Sequence, residues 1–352
     1  MARRWTLGWL TLGLCSRLLQ AQPVHELKFV GQATIPTGTT FKDTPVGGLS
    51  AITYDPERKV YYALSDDRSE KAPARFYTLT LQTSSPPKVA LQAVTPLFSS
   101  NRQPFSPGTI DPEGMALSRH KTVYISSEGD VGRGIAPFIA EFSLAGEQQR
   151  TLPLPEKFLP VADQKGIRNN LAFESLTLTP DQQSLYTATE NALVQDGPPS
   201  STTAGSSVRI LQYDLSRGQP THEYLYLTEA LGGSNGLADL LALDNAGNFL
   251  SLERSFIFGL GNTIQIFQIS LTGATDISGL DRLSASALKR IRPVHKRLVL
   301  NLASLGLKPD NLEGLTLGPS GSGQTLVLVS DNNFNPFQTT QFLVFSLRLA
   351  DR

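Results

Sequence analysis

The stretch Phe173-Glu174-Ser175-Leu176-Thr177-Leu178 is a short apolar strand with an acid near its start, and Glu190 ends a second strand 16 positions after Glu174. A polar residue opening one strand, followed 14 to 18 positions later by an acid closing the next, occurs five times. The pairs are Ser50 with Asp66, Glu113 with Glu128, Glu174 with Glu190, Asp239 with Glu253, and Glu313 with Asp331. Their first members recur at intervals of 63, 61, 65 and 74 residues, which indicates an internal repeat typical of propellers or solenoids.

Each period contains strands enough for one propeller blade. In the first period they are Ser50–Tyr54, Val60–Leu64, Arg75–Leu81 and Val89–Leu97. The last period lacks a fourth strand after Leu347, whereas His25–Ile35 is a strand-like segment without a partner. The pattern predicts an all-β propeller of five four-stranded blades, closed by the N-terminal strand pairing beside Gln341–Leu347. Six blades is the alternative.

One segment has helical spacing. Apolar residues from Leu280 to Ile291 recur at helical intervals and are followed by Pro293. We interpret them as a short helical insertion in the fourth blade, whose outer strand resumes at Arg297–Leu302. Residues 25–350 are assigned to one propeller domain, because propellers lengthen by adding blades.

The N-terminus has the features of a targeting signal. Arg3 and Arg4 precede the apolar run Trp5–Cys15, which is too short to span a bilayer, and small Ala21 follows. We therefore predict a signal peptide over residues 1–21 and export to the periplasm or the extracellular space.

The only cysteine lies within that predicted signal. A lipid anchor on Cys15 is the alternative, but Leu14 stands where a small residue is expected. Cleavage at residue 21 leaves 28 basic and 31 acidic residues, a net charge of about −3. This balance argues against a nucleic-acid partner, and we expect a protein that does not span the membrane and is a monomer.

The first residues of the five pairs form a candidate metal site. In a propeller the first strand of each blade lines the central channel, so Ser50 and the acids of the other four repeats would meet at one channel mouth. Converging carboxylates repel one another, and a divalent cation would relieve that repulsion. The predicted ligands are Glu113, Glu174, Asp239 and Glu313, with oxygens of Asn170 or Asn311 as possible additions. Calcium suits such oxygen ligands best, and magnesium or manganese are alternatives.

A structural role for the same acids is the competing interpretation. Acids at strand entries also cap backbone amides or pair with arginines, and a repeated acid can bind the neighbouring blade. The second series is expected to serve turns or inter-blade bonds. It comprises Asp66, Glu128, Glu190, Glu253 and Asp331.

Four segments carry a family resemblance: Asp111–Met115, Asn170–Leu176, Glu190–Gly197 and Asn311–Leu315. They resemble the exported family named for the esterase-like activity of phytase. The resemblance extends over about Phe29–Leu347 and implies a propeller with a hydrolase-type activity. The strand starts are also similar to those of gluconolactonase-like and paraoxonase-like calcium propellers, in which the acid is a metal ligand. That resemblance implies that Glu113, Glu174 and Glu313 are metal ligands. Asp239 lacks the glycine that follows the acid in those propellers, and Ser50 lacks the carboxylate.

The G-x-S-x-G spacing of a nucleophile elbow occurs once, at Gly232–Gly236, but no helix is predicted after Ser234 as the elbow requires, so a serine hydrolase of that type is not indicated. A phosphate ester would need basic groups instead. The basic residues of the predicted rim loops are Arg68, Lys71, Arg102, Arg168 and Arg254. Arg168 is favoured, because it stands six residues before Glu174.

Two functions follow from these observations. The first is an exported, metal-dependent hydrolase of a small ester, with phosphoesters favoured and with Glu174, Glu113 and Arg168 as catalytic residues. The second is a non-catalytic binding propeller whose acids or ion act structurally.

Overall fold

The chain folds into a five-bladed β-propeller. The structure is a computed structural model, and it describes residues 23–161, 164–320 and 323–350. Within these ranges, five antiparallel sheets of four strands each account for 20 strands, and two short strands form a hairpin. The predicted all-β fold and blade number are confirmed.

The strands have the following bounds. The chain begins with β1 (Val24–Ile35) and the hairpin β2 (Thr40–Phe41) and β3 (Thr44–Pro45). The first blade is β4 (Leu49–Asp55), β5 (Val60–Ser65), β6 (Arg75–Gln82) and β7 (Lys88–Pro96). The second is β8 (Pro112–Leu117), β9 (Thr122–Ser127), β10 (Phe138–Ser143) and β11 (Gln148–Leu152).

The remaining three blades repeat this order. The third is β12 (Phe173–Leu178), β13 (Ser184–Thr189), β14 (Ser207–Asp214) and β15 (Gln219–Leu227). The fourth is β16 (Ser234–Ala242), β17 (Asn248–Ile257), β18 (Gly261–Ser270) and β19 (His295–Asn301). The fifth combines β20 (Asn311–Leu317), β21 (Gln324–Asp331) and β22 (Thr340–Leu349) with β1.

The first strand of each blade contributes to a closed inner ring. β4 contacts β8, β8 contacts β12, β12 contacts β16, β16 contacts β20, and β20 contacts β4. A hydrophobic cluster fills each of the five junctions between blades. Because sheets in such a stack are covered on both faces, central strands are continuously apolar, as in buried Leu326–Val329 of β21.

The N-terminal strand closes the propeller, as predicted. β1 pairs antiparallel with β22 from Val24 opposite Leu349 to Ile35 opposite Thr340. The rings of Phe29 and Phe345 pack 5.4 Å apart across this pairing. Without β1, the outer edge of β22 would present unpaired backbone groups.

The insertion in the fourth blade is present, but its helix is short. Helix α1 covers only Ala285–Leu288, and Ser284 caps it by accepting a hydrogen bond from the Ala287 amide at 3.2 Å. Leu283 and Ile291 pack in a small buried cluster beside the third blade. The outer strand β19 begins at His295, two residues before the predicted start.

The predicted signal peptide over residues 1–21, including Cys15, lies outside the described residues. No helix within the described ranges is long and apolar enough to cross a membrane.

Candidate functional site

A β-bulge occurs at the same point of every inner strand. In β4, Leu49 pairs with Ser65 and Ala51 with Leu64, so that Ser50 is the extra residue. Bulges of this kind re-aim one side chain and are common next to binding sites. The equivalent irregularity falls on the residues that define the bulge ring: Ser50, Glu113, Glu174, Ala238 and Glu313.

A second ring, the strand-end ring, is built where the second strand of each blade ends. In the first blade Ser65 pairs with Leu49, the residue before the bulge, and Asp66 is the next residue after Ser65. The equivalent residues in the five blades are Asp66, Glu128, Glu190, Arg254 and Asp331. Four acids and one arginine therefore adjoin the bulge ring at one end of the channel.

The fourth blade differs from the sequence alignment by one residue. Leu237 pairs with Glu253 and Asp239 with Leu252, so the bulge falls on Ala238. Because alternate residues of a strand point to opposite faces, a shift of one position changes which side chain looks into the channel. Ala238 therefore replaces Asp239 in the bulge ring, and Arg254 replaces Glu253 in the strand-end ring.

Asp239 lies between blades and binds backbone. Its Oδ2 accepts a hydrogen bond from the Leu315 amide at 2.8 Å, and its Oδ1 accepts one from the Leu240 amide at 2.8 Å. Glu253 is fully buried elsewhere, where it accepts hydrogen bonds from Tyr226 Oη and from Asn235 Nδ2, both at 2.7 Å. Both acids thus have structural partners of their own.

Three carboxylates of the second blade converge. Asp111, Glu113 and Glu128 are buried, and one oxygen of each lies within 4.8 Å of the others, as a metal ion would require. Arg68 Nη2 lies 2.5 Å from Asp111 Oδ2. Burial raises the pKa of Asp111 to about 6 even though Arg68 opposes the shift.

Glu174 of the third blade is the next acid around the ring. Burial, followed by the charges of Glu128 and Glu190, raises its pKa well above the usual range. The pKa of Glu113 is raised in the same way, first by burial and then by the charge of Glu174. These groups therefore resist losing all their protons together unless a cation joins them.

Arg254 supplies positive charge on the opposite side. Its Nη2 lies 3.3 Å from Glu190 Oε1 and 3.3 Å from Glu313 Oε1. Asn311 Nδ2 donates to Glu313 Oε1 at 2.9 Å and to Asp331 Oδ2 at 3.3 Å. Burial nevertheless raises the pKa of Glu313 to about 8 and that of Asp331 to about 6.

Several strand-end acids also bind neighbouring backbone, as expected for the second series. Glu128 Oε1 accepts a short hydrogen bond from the Ala172 amide of the next blade. Glu190 packs against Gly236, where a Cβ atom would lie 2.2 Å from Glu190 Oε1. Any side chain at position 236 would therefore displace this carboxylate.

Arg168, the residue predicted to bind phosphate, instead donates hydrogen bonds to backbone carbonyls of the loop after β13. Its Nε donates to the Ala192 carbonyl at 3.1 Å and its Nη2 to the Gly197 carbonyl at 2.6 Å. Lys71 lies over the Phe334 ring at 5.1 Å. Among the predicted basic residues, Arg68 and Arg254 are the two that contact the acidic site.

A cavity of about 640 Å³ opens beside these acids, with Glu313 and Arg254 in its wall. Asn170 and Asn311 also line it, and Asn170 Oδ1 accepts a hydrogen bond from Arg68 Nη2 at 3.0 Å. The cavity thus joins the acidic site to the rim loops.

Two solved structures align with most of the chain. The catalytic domain of a Coprinopsis cinerea α-L-arabinofuranosidase aligns with a TM-score of 0.49 and 10% identity, covering 92% of this chain and 99% of that one. A Pseudomonas aeruginosa periplasmic gluconolactonase aligns with a TM-score of 0.38 and 11% identity, covering 87% and 90%. Neither likeness bears on the chemistry of the site.

A curated relative matches in sequence over a shorter range. It is an uncharacterized secreted protein of Arthroderma benhamiae, 26% identical over 143 residues, and the match covers 33% of this chain and 27% of the relative. The match thus spans about a quarter of the relative's length. Residues 44–334 match the family described as "Phytase-like: Esterase-like activity of phytase". Since that range contains four blades and half of the fifth, with both rings, the chain belongs to the family of the esterase-like activity of phytase.

Proposed function

We propose that the protein is a secreted hydrolase of a small ester, and that it uses a divalent cation, with calcium favoured and phosphoesters as the preferred substrate class. The observation that carries the proposal is the convergence of Asp111, Glu113 and Glu128, whose oxygens lie within 4.8 Å of one another. Family membership supports hydrolysis, and the predicted signal peptide together with the secreted relative supports export.

The donor set fits a hard cation. All three groups are carboxylates, and calcium takes six to eight oxygen ligands with irregular geometry. Arg68 pairs with Asp111 alone, which leaves the charges of Glu113 and Glu128 without a cation of their own. Leaving ionised groups buried and unpaired is costly, so cation binding would stabilise the ionised site. Glu174 lies beside this triad, whereas Asp239 is left out of the proposed ligand set.

The catalytic roles follow from the positions of the side chains. When bound, a divalent cation supplies Lewis acidity and lowers the pKa of a water molecule. We assign the role of general base to the Glu174 carboxylate, because its raised pKa makes it a stronger base than an exposed glutamate. Arg254 and Arg68 flank the acids and can bind the anionic oxygens of a phosphoester.

The test is hydrolysis by purified protein beginning at Gln22, assayed with p-nitrophenyl phosphate, bis(p-nitrophenyl) phosphate, phytate, a lactone and p-nitrophenyl acetate. We expect turnover that EDTA abolishes and calcium restores, and that Glu113→Gln reduces. Turnover that survives EDTA and is lost with serine-directed reagents would contradict the mechanism. Calcium binding without turnover of any ester would favour the non-catalytic binding propeller.

A further inference from the structure

The cavity beside the acidic site has walls from the fourth and fifth blades. The β17–β18 hairpin contributes Phe256 and Asn262. The segment that leads into β20 contributes residues 308–311, and the loop after β21 contributes Asn333, Asn335 and Gln338. Its volume of about 640 Å³ lies within the range of about 300–1,000 Å³ that is usual for ligand sites. The cavity is therefore large enough to hold a part of the substrate beyond the ester group that is hydrolysed.

The lining of this cavity is polar but balanced in charge. Seven of its 14 lining residues carry an amide or hydroxyl group. The two cations, Arg254 and Lys308, are matched by the two acids, Asp310 and Glu313. A polyanion would meet no net attraction there, whereas a neutral ligand with many hydrogen-bonding groups would find partners.

Two polar atoms in the wall have no hydrogen-bond partner among the described residues. They are Nε of Arg254, a donor, and Oδ1 of Asn262, an acceptor, and both are buried. Phe256 pairs with Asn262 across the hairpin, and Arg254 is two residues before Phe256, so the three side chains share one face. If the Arg254 and Asn262 side chains turn toward the cavity, a ligand hydroxyl, which both accepts and donates, can supply the missing partner of each.

One phenylalanine lines the same cavity, and two exposed phenylalanines lie close in sequence to lining residues. Phe256 lines it, Phe258 at the hairpin tip is 94% exposed, and Phe337, between lining residues Asn335 and Gln338, is also 94% exposed. Large apolar side chains this exposed mark interaction sites when they cluster. An aromatic face beside a row of amides suits a ring that has apolar C–H faces and hydroxyl edges.

We propose that this cavity binds a neutral carbohydrate, which forms the alcohol part of the ester that the acidic site hydrolyses. The second clause rests on the proposed function, whereas the binding itself does not. A protein partner is less well matched, because the polar lining residues form a concave cavity and not a flat apolar surface.

Binding is tested by isothermal titration calorimetry of the full mature protein with maltotriose, cellotriose and xylotriose, after a screen on a printed oligosaccharide array. Glucuronic acid and sulfate, neither of which is a substrate or product of the proposed phosphoester hydrolase, serve as charged probes. We expect at least one neutral oligosaccharide to bind more tightly than either charged probe. We also expect Phe337→Ala and Asn262→Leu each to raise its Kd about tenfold or more. Leu298→Ala, in an exposed residue of the outer strand β19, is the matched control and should leave Kd unchanged.

The outcomes separate this inference from the proposed function. If no array oligosaccharide binds at millimolar concentration while small esters are hydrolysed, the carbohydrate site is wrong and the hydrolase stands. If oligosaccharides bind but no ester is hydrolysed, the site stands and the hydrolase is wrong. Tighter binding of the charged probes, or binding that survives both cavity substitutions, would also overturn the site. Folding of each variant is checked by its thermal unfolding midpoint.

Discussion

Arg254 Nη2 lies 3.3 Å from Glu313 Oε1, across the junction of the fourth and fifth blades. Arg254 occupies the position that carries an acid in each of the other four blades. One blade thus provides a cation to a ring that is otherwise acidic, and it does so opposite the three carboxylates of the second blade. The positive charge of Arg254 therefore lies on a different side of the channel mouth from the three carboxylates to which we assign the metal ion.

The first prediction concerns this arginine. Arg254→Met should lower the free energy of unfolding by about 3 kcal/mol at pH 9, because it leaves buried Glu190 and Glu313 without their cation. The loss should be smaller at pH 6, where Glu313, with its pKa raised to about 8, is protonated. Urea unfolding at both pH values in EDTA measures it. Arg217→Met, in a 76%-exposed arginine paired with Asp214, is the control and should have little effect.

The second prediction separates two acids that the sequence placed in one ring. Glu113→Gln should weaken calcium binding at least about tenfold, since it removes a charge from the converging triad. Asp239→Asn should leave calcium affinity nearly unchanged and lower stability by about 1 kcal/mol, because an amide cannot accept both backbone hydrogen bonds. Calorimetric titration with calcium and urea unfolding of both variants provide the comparison. Equal losses of calcium affinity in the two variants would show that Asp239 also contributes to calcium binding.

The sequence predicts the blades well because their signals are local. Apolar alternation and turn residues located the strands within a few positions, and the unpaired segment at His25–Ile35 identified the closing strand. The recurrence of acids at strand starts also grouped Glu113, Glu174 and Glu313, which occupy equivalent bulge positions in the structure.

The fourth blade could not be aligned from its sequence. Asp239 lies one residue after the bulge, and nothing local distinguishes it from an acid on the bulge, because a bulge depends on pairing with the neighbouring strand. Asp111 was missed as a possible ligand although it stands in the segment Asp111-Pro112-Glu113. The sequence alone does not show that Asp111 lies near Glu113 and Glu128, because that depends on how the loop before β8 packs against the end of β9.

The third prediction follows from the raised pKa values. The pKa values of Asp111 and Asp331 are raised to about 6 and that of Glu313 to about 8, from ordinary values of 3.8 and 4.5. Between about pH 4 and pH 8 the folded protein therefore binds more protons than the unfolded chain, and stability should fall as pH rises through this window. Calcium should reverse the trend, because it binds ionised carboxylates. Thermal unfolding from pH 5 to pH 8, in EDTA and in calcium, tests this. A midpoint that rises with pH in EDTA would show that these acids are ionised without a cation.

The fourth prediction concerns a buried network outside the channel. Arg209 is fully buried, with Nε 2.6 Å from Asp196 Oδ2 and Nη1 2.7 Å from Glu223 Oε2. Its Nη1 also donates to the Leu280 carbonyl of the insertion at 2.9 Å. Arg209→Met should cost about 3–5 kcal/mol, since it leaves two buried carboxylates with too little compensating charge.

Urea unfolding measures that loss, and protease cleavage within residues 275–292 should accelerate in the same variant as the insertion loses its anchor. If stability falls without faster cleavage there, the network supports the blade and not the insertion.

The last prediction tests the closure of the propeller. Removing residues up to Ile35 deletes β1 and exposes the edge of β22, which pairs with β1 along its whole length from Thr340 to Leu349. Unpaired edges bind other edges, so the truncated protein should associate in size-exclusion chromatography with light scattering. A synthetic peptide of residues 24–35 should restore the monomer, because it supplies the same backbone partners. A truncation before Pro23 is the control and should remain monomeric. A monomeric protein lacking β1, with unchanged unfolding, would mean that four blades and a three-stranded fifth are stable without closure.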